Sequence, residues 1–163
     1  MATAELSQAR RRFDPVSIET RIDIAAPPAD VWKVMSDVER WAEWTPTITR
    51  VELLDGKPFG LGARARIHQP KLPVAVWTVT MLEPGRFFEW RSVAPGLLSV
   101  AGHRVSAAGD GTSTVTLVLR WSGWLSPLIR LIFGRLARRY VRTEAESLKR
   151  HCEGSRLVRS AST

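Results

Sequence analysis

Apolar and polar residues alternate in a short segment near the start of the chain, and the pattern then changes to a helical spacing. The alternation extends over Val16–Ile24, which predicts a half-buried β-strand. In the segment that follows, Pro28 suits the first turn of a helix, and Asp30 places a carboxylate where the helix dipole favours it. Val31 and Met35 lie on one face of this helix. The pattern therefore predicts a strand followed by a short amphipathic helix.

A second, shorter helical turn contains two tryptophans, Trp41 and Trp44. It ends at Thr45, because a residue that precedes a proline, here Pro46, is disfavoured in the helical region. Residues three apart on a helix lie on the same side, so the two indole rings are expected to face the same part of the interior. Aromatic side chains at such positions either pack as core or form the wall of a cavity.

From residue 48 onward the spacing changes to period two, with turn residues between the runs. Six strands are predicted, over residues 48–54, 63–69, 74–82, 86–93, 97–107 and 112–121. The intervening sequences, such as D-G-K-P-F-G and G-D-G, are typical of antiparallel hairpins. Within each run the apolar parity predicts which side chains face the interior, and a β-bulge would reverse a whole set. The predicted inward residues are Ala65, Ile67, Ala75, Trp77, Val79, Met81, Phe88, Trp90, Ala101, His103, Val105, Val115, Leu117, Leu119 and Trp121.

A long apolar stripe predicts one helix from residue 124 to 153, with arginines and glutamates on its other side. Tyr140, Leu148 and Cys152 belong to this stripe, as does Phe133 nearer the start. The first turns, residues 125–133, are unusually apolar. We interpret them as a segment buried under the sheet in preference to a membrane contact. A twisted sheet with one long helix to cover it must curl around that helix.

The chain of 163 residues has a length typical of one domain, predicted over residues 15–153. Residues 1–14 and 154–163 are polar and charged, which predicts a disordered basic tail at the start and a second disordered tail at the end. The single cysteine, Cys152, excludes an intrachain disulfide, and no Cys/His cluster suggests a metal site. No apolar run resembles a signal peptide or a membrane-spanning segment, so we expect a cytoplasmic protein.

The net charge is +8, which raises the question of a nucleic-acid partner. The arginines are spread along the chain, with denser groups at residues 10–12 and 130–142. No helix-turn-helix, zinc-finger or RNA-recognition motif accompanies them. We therefore interpret the charge as an arginine-rich surface and do not expect nucleic acid as a partner, while an anionic membrane surface stays open.

Four sequences occur in order along these elements: I-A-A-P-P-A-D-V-W, S-D-V-E-R-W-A-E-W-T-P, L-E-P-G-R-F-F-E-W and G-D-G-T-S-T-V-T-L. Together with the order of the elements, they resemble the START-like (SRPBCC) superfamily, specifically its polyketide cyclase/dehydrase-type branch, over about residues 16–153. The resemblance implies an α+β helix-grip fold. In this fold a curved antiparallel sheet of about seven strands wraps around a long C-terminal helix, and two short helices follow the first strand.

The resemblance also implies an apolar cavity between the sheet and the last helix. We expect no cofactor. Trp41 and Trp44 would close one end of this cavity, or they would pack as ordinary core. Combined with the strand parity, the resemblance predicts the ligand-binding residues Trp41, Trp44, Ile67, Trp77, Met81, Phe88, Trp90, His103, Leu119, Trp121, Phe133 and Tyr140.

Three functions of different class follow. The first, which we favour, is binding of a hydrophobic small molecule that is lipid-like or polycyclic. The second is a polyketide cyclase or dehydratase, for which His103 and Tyr140 are the only interior proton-handling candidates from the sequence. Both residues also suit structural roles, a strand-end histidine and a core aromatic. The third is a peripheral membrane protein that transfers lipid.

Overall fold

A computed structural model of the chain describes residues 16–160 and, within them, the side chains of residues 17–155. Its elements are β1 (Val16–Ile24), α1 (Pro28–Ser36), the 3-10 helix η1 (Val38–Glu43), β2 (Arg50–Leu53), β3 (Arg64–His68), β4 (Ala75–Glu83), β5 (Phe87–Ala94), β6 (Leu97–Gly109), β7 (Thr112–Ser122) and α2 (Ser126–Ser160). This order confirms the predicted helix-grip fold. The predicted tail over residues 1–14 lies outside the described residues.

The strands form one seven-stranded sheet in the order β1-β7-β6-β5-β4-β3-β2. Every neighbouring pair is antiparallel, and β1 pairs along its whole length with β7, from Val16 opposite Trp121 to Ile24 opposite Ser113. The concave face is covered by α1, η1 and α2. Buried apolar side chains from these helices and from the strands form the main core at the end of the sheet that includes Ile24.

One strand departs from the predicted parity. In β4 the pairing with β5 shifts between Val79 and Met81, which is a β-bulge. Beyond it Leu82 packs against the core, while Met81 is 54% exposed. The prediction that Met81 faces the interior and binds ligand is therefore wrong, because the extra residue reverses the side-chain alternation.

The last helix is longer than predicted. It continues to Ser160, so residues 154–160 extend α2 where the sequence predicted the start of a tail. The single Gly154 costs about 1 kcal/mol in a helix interior, which is too little to end a helix that is already formed. Residues 161–163 lie outside the described part of the chain.

The first turns of α2 are not covered by the sheet on all sides. Ile129 and Phe133 pack inward, next to Trp121 and Ala137. On the opposite side Leu131 is 82% exposed, and Leu128 and Ile132 are also exposed. The interpretation of residues 125–133 as a fully buried segment is therefore wrong. It failed because a sheet covers only one side of a helix, and these turns are apolar on both sides.

Two glycines fix the place where α2 begins. Gly123, after β7, has φ of +102°, and a Cβ on it would meet the carbonyl oxygen of Gly96 in the β5–β6 turn. That same carbonyl accepts a hydrogen bond of 3.0 Å from the N–H of Leu125. A Cβ on Gly96 would in turn lie 2.5 Å from the indole ring of Trp124. The helix therefore starts in direct contact with the β5–β6 turn.

We expect Gly123→Ala to destabilise the protein more than Gly111→Ala. Both residues have positive φ, which costs about 1–2 kcal/mol for a residue with a Cβ. An added Cβ at Gly111 meets nothing within 4 Å, whereas at Gly123 it overlaps backbone, and forced shifts of that kind cost about 1–3 kcal/mol more. Urea denaturation of the two variants measures the difference, and equal losses would contradict this account of the junction.

Candidate functional site

A cavity of about 510 Å³ lies between the concave face of the sheet and α2. Its wall is formed by side chains of β3 to β7, by the β3–β4 loop, by Trp41 of η1 and by one face of α2. Most of the lining is aliphatic or aromatic. The predicted ligand-binding residues that line it are Trp41, Ile67, Trp77, Trp90, His103, Leu119, Trp121, Phe133 and Tyr140.

The cavity opens at the end of the sheet where α2 begins. Pro73 and Val74 of the β3–β4 loop, and Val93 and Ala94 at the end of β5, line the cavity and are also exposed to solvent. Phe133 of α2 completes this side of the lining. These residues form the mouth, and a ligand would enter between the β3–β4 loop, the end of β5 and the helix.

The other end of the cavity is closed by aromatic rings. Trp41 is 1% exposed, and its Nε1–H donates a hydrogen bond of 3.1 Å to the carbonyl oxygen of Met35. Its ring centroid lies 5.4 Å from that of Trp90 and 5.2 Å from that of His103. Because Trp41 is fixed by a backbone acceptor, it forms a rigid wall at the closed end, far from the mouth.

Two other predicted lining residues belong to the core behind this wall. Trp44 lies behind Trp41, at 5.7 Å between ring centroids, and its other neighbour is His151 at 6.4 Å. Phe88 is completely buried. Neither residue lines the cavity. The prediction that Trp41 and Trp44 share one role is wrong because Trp44 follows the end of η1, with φ of −124°, and the two rings are tilted by 59°.

The closed end contains a polar pair of one buried and one half-buried side chain. Nε2 of His103 on β6 lies 3.1 Å from Oε1 of Glu144 on α2, and the two side chains are 6% and 14% exposed. The imidazole stacks on the ring of Phe88 at 4.4 Å with an interplanar angle of 9°. Nδ1 of His103 is buried and has no hydrogen-bond partner in the described part of the chain. This favours the tautomer that carries its proton on Nε2 and donates it to Glu144.

Glu144 is not among the predicted site residues, although the sequence contains a signal for it. The predicted inner stripe of the last helix contains Tyr140, Leu148 and Cys152 at a spacing of four, and Glu144 stands at the one position missing from this series. Residue type alone predicts the outer face for a glutamate on a helix with many charged residues. The stripe position, and not the residue type, decides which way its side chain points.

Tyr140 lines the cavity one helical turn before Glu144, and its hydroxyl already has a partner. The O–H donates a hydrogen bond of 2.5 Å to the carbonyl oxygen of Pro70, in the β3–β4 loop. Leu72 and Pro73 of the same loop line the cavity. Tyr140 therefore ties the helix to a loop that forms part of the mouth.

The remaining polar groups offer little further chemistry. Gln69, Ser92 and Ser99 also line the cavity. Cys152 is buried in the core, where desolvation raises the pKa of its thiol to about 12, so the reactive thiolate is scarce at neutral pH. Within residues 16–160, no group of three or more His, Cys, Asp or Glu side chains is arranged to hold a metal ion.

Several solved structures share this fold. The chain is similar to the Zhui aromatase/cyclase from Streptomyces sp. R1128, with 19% identity and a TM-score of 0.72, over 86% of this chain and 94% of that one. It is similar to norcoclaurine synthase from Thalictrum flavum, with 13% identity and a TM-score of 0.65, over 88% and 98% of the two chains. For a protein from Thermus thermophilus the values are 15% and 0.68, over 86% and 99%.

No curated protein matches the sequence closely enough to count as a relative. At these identities the solved structures support the fold and leave the ligand and the reaction open. The assignment to a family comes instead from the sequence itself. Residues 15–153 match the model of the family described as polyketide cyclase / dehydrase and lipid transport, and the chain therefore belongs to that family, as its motifs predicted.

Proposed function

We propose that the protein binds an apolar small molecule, lipid-like or polycyclic, in the cavity between the sheet and α2. The observation that supports this proposal is that a mainly apolar cavity wall contains two polar groups at one end. A space of about 510 Å³ with a mainly apolar lining contains a half-buried carboxyl, that of Glu144, and a buried imidazole, that of His103, at its closed end. Pockets of roughly 300–1,000 Å³ with apolar walls and a few fixed polar groups are typical of small-molecule sites.

The arrangement of the wall favours one orientation of the ligand. Trp77, Leu119 and Trp121 would contact its apolar body, and Glu144 would meet its inner end. Oε1 of Glu144 already accepts from His103, which leaves Oε2 to accept a second hydrogen bond. A hydroxyl or amine on the ligand would supply that donor. A ligand carboxylate would instead place two like charges together in a site of low dielectric constant, which is unfavourable.

A cyclase or dehydratase activity is the second candidate, and the His103–Glu144 pair favours it. A carboxylate that is held by a buried imidazole and lines the cavity is suited to accept a proton from a bound substrate. Glu144 would be the base and His103 the residue that orients it. The family description names polyketide cyclases and dehydrases, and one similar structure is an aromatase/cyclase. These likenesses support the candidate by analogy of fold.

We expect long-chain alcohols to bind more tightly than fatty acids of equal chain length. The expected preference is roughly 10–100-fold, because a hydrogen bond to a charged group contributes about 1.5–3 kcal/mol. Glu144→Gln should reduce this preference. Glu146→Gln is the matched control, since Glu146 is exposed on the same helix and should leave the preference unchanged. Quenching of tryptophan emission measures the affinities, and native mass spectrometry gives the stoichiometry.

Two results would contradict different parts of this proposal. If neither alcohols, fatty acids nor polycyclic hydrophobes change the emission or the thermal midpoint, and no small molecule co-purifies, the binding proposal is wrong. If fatty acids bind more tightly than alcohols, the cavity binds ligand but the role given to Glu144 is wrong.

For the catalytic candidate, we expect Glu144→Gln to lower the rate of cyclisation of a linear poly-β-ketone by roughly 10²–10⁴-fold, the usual contribution of a general base. Tyr140→Phe should have a smaller effect, since its hydroxyl is bonded to Pro70. The appearance of aromatic absorbance measures the rate, with Glu146→Gln again as the control. Full activity in the Glu144 variant would show that Glu144 is not the base and would contradict the mechanism proposed here.

A further inference from the structure

Large apolar side chains are exposed near the mouth of the cavity, at the end of the molecule where α2 begins. Trp124 is 73% exposed, Leu131 82%, Ile132 59% and Leu128 49%. Val93, which lines the mouth, is 73% exposed. Single exposed apolar residues are normal on a soluble protein, whereas a contiguous group of large ones marks a contact surface.

These residues form one surface because of how α2 begins. Leu128, Leu131 and Ile132 have the spacing of one helix face, directed away from the cavity. Trp124 precedes the helix and lies against Gly96 in the β5–β6 turn, close to the end of β5. Ile129, on the opposite side of the same helical turns, lines the cavity. The exposed apolar surface and part of the cavity wall are thus opposite sides of the first turns of α2.

The same helix surface becomes strongly basic in the next turns. Arg135, Arg138, Arg139 and Arg142 line a shallow groove on α2, and Arg130 is exposed nearer the start. In the part of the chain that the structure describes, none of these arginines forms an ion pair. The sequence contains no acidic residue between Trp124 and Thr143. The positive charge of this surface is therefore uncompensated locally.

We propose that this docking face, formed by Trp124, Leu128, Leu131 and Ile132 together with Arg135, Arg138 and Arg139, binds the surface of an anionic lipid bilayer. Tryptophan and aliphatic side chains enter the interface between headgroups and acyl chains, and arginines bind the phosphates beside it. Within residues 16–160 no helix is long and apolar enough to span a membrane. The proposed contact is accordingly one of docking on the surface.

Other occupants fit the docking face less well. A nucleic acid would use the arginines but would leave Leu131 and Ile132 in contact with water. A second copy of the chain, related by a two-fold axis through the apolar part, would cover Leu131 and Ile132, but it would bring no acidic residue of the same face to the arginines. A bilayer that contains anionic lipid complements both the apolar and the basic part of the face.

Docking in this orientation would bring the mouth of the cavity close to the bilayer surface. Val93 at the mouth and Leu128 on the docking face are both exposed at the end of the molecule where α2 begins. The path of an apolar ligand between acyl chains and cavity would then be short. This consequence rests on the proposed function, whereas docking itself does not, because it needs no ligand in the cavity.

Co-sedimentation of the full chain with vesicles of phosphatidylglycerol and phosphatidylcholine in equal parts tests the docking face directly. The double variant Leu131→Ser/Ile132→Ser should bind about tenfold more weakly or worse, since two aliphatic side chains no longer enter the lipid. Arg138→Glu/Arg139→Glu should also weaken binding, by about fivefold or more for each arginine lost. These residues are exposed, so the variants should fold, and the thermal midpoint checks this.

Leu61→Ser is the matched control. Leu61 is 70% exposed, but it lies in the β2–β3 loop, at the end of the sheet opposite the mouth, so its loss should leave vesicle binding unchanged. Brominated phosphatidylcholine in the vesicles should quench part of the tryptophan emission, and Trp124→Phe should remove that part. Pure phosphatidylcholine vesicles should bind much less protein.

Three results would overturn the proposal. One is the absence of binding to the anionic vesicles at low salt. Another is binding that survives in both double variants, which would assign it to other basic residues such as Arg10, Arg11 and Arg12. The third is a concentration-dependent dimer in analytical ultracentrifugation that Leu131→Ser/Ile132→Ser abolishes, which would assign the face to a second copy. Ligand titrations in the absence of vesicles are independent of all three, so failure of docking and failure of ligand binding are distinguishable.

Discussion

The attachment of α2 at its two ends determines the rest of this structure. At the start, the N–H of Leu125 donates to the carbonyl oxygen of Gly96 in the β5–β6 turn. Near the other end, the carboxylate of Glu153 accepts hydrogen bonds from the N–H of Ala25 and the ammonium of Lys149, and these contacts lower the pKa of Glu153. Both ends of the helix are thus tied to the strands and their connections. Between these two points, the space between helix and sheet is filled only where the side chains are large enough.

The space between α2 and the sheet is filled unevenly by side chains, so one end is a packed core and the other is a cavity. Towards the end of α2, Leu148 and Cys152 belong to the same buried core cluster as Met35 and Trp41. Towards the start, the inward residues include the small Ala137, and the cavity remains. A core packed at one end tolerates an unfilled volume at the other, because the cost of a cavity falls only on the atoms that line it. The molecule therefore has one end that holds the fold together and one end that is free for a ligand.

Features that depend on local sequence pattern could be predicted from the sequence. Features that depend on how strands and helices pair and pack against one another could not. Strand parity identified Trp77, Trp90 and His103 correctly, because period two is a property of the strand itself. It failed at Met81, where a bulge that only the pairing with β5 reveals reverses the alternation. The spacing of Trp41 and Trp44 could not show that their roles differ. Trp44 lies just after the end of η1, and the backbone there directs its ring away from the cavity.

Glu144 shows why the polar part of the site was harder to predict than its apolar wall. An apolar residue in the interior needs only a position on the right face, whereas a buried carboxyl needs a partner, and that partner, His103, comes from a strand far away in sequence. Removing either group alone would leave the other buried without its hydrogen bond, which costs more than the pair contributes. A polar pair of this kind adds little to stability, so its presence at the closed end of an apolar cavity is better explained by what enters the cavity. The carboxyl and imidazole are fixed reference points along a mainly apolar wall, and they can distinguish one end of a ligand from the other.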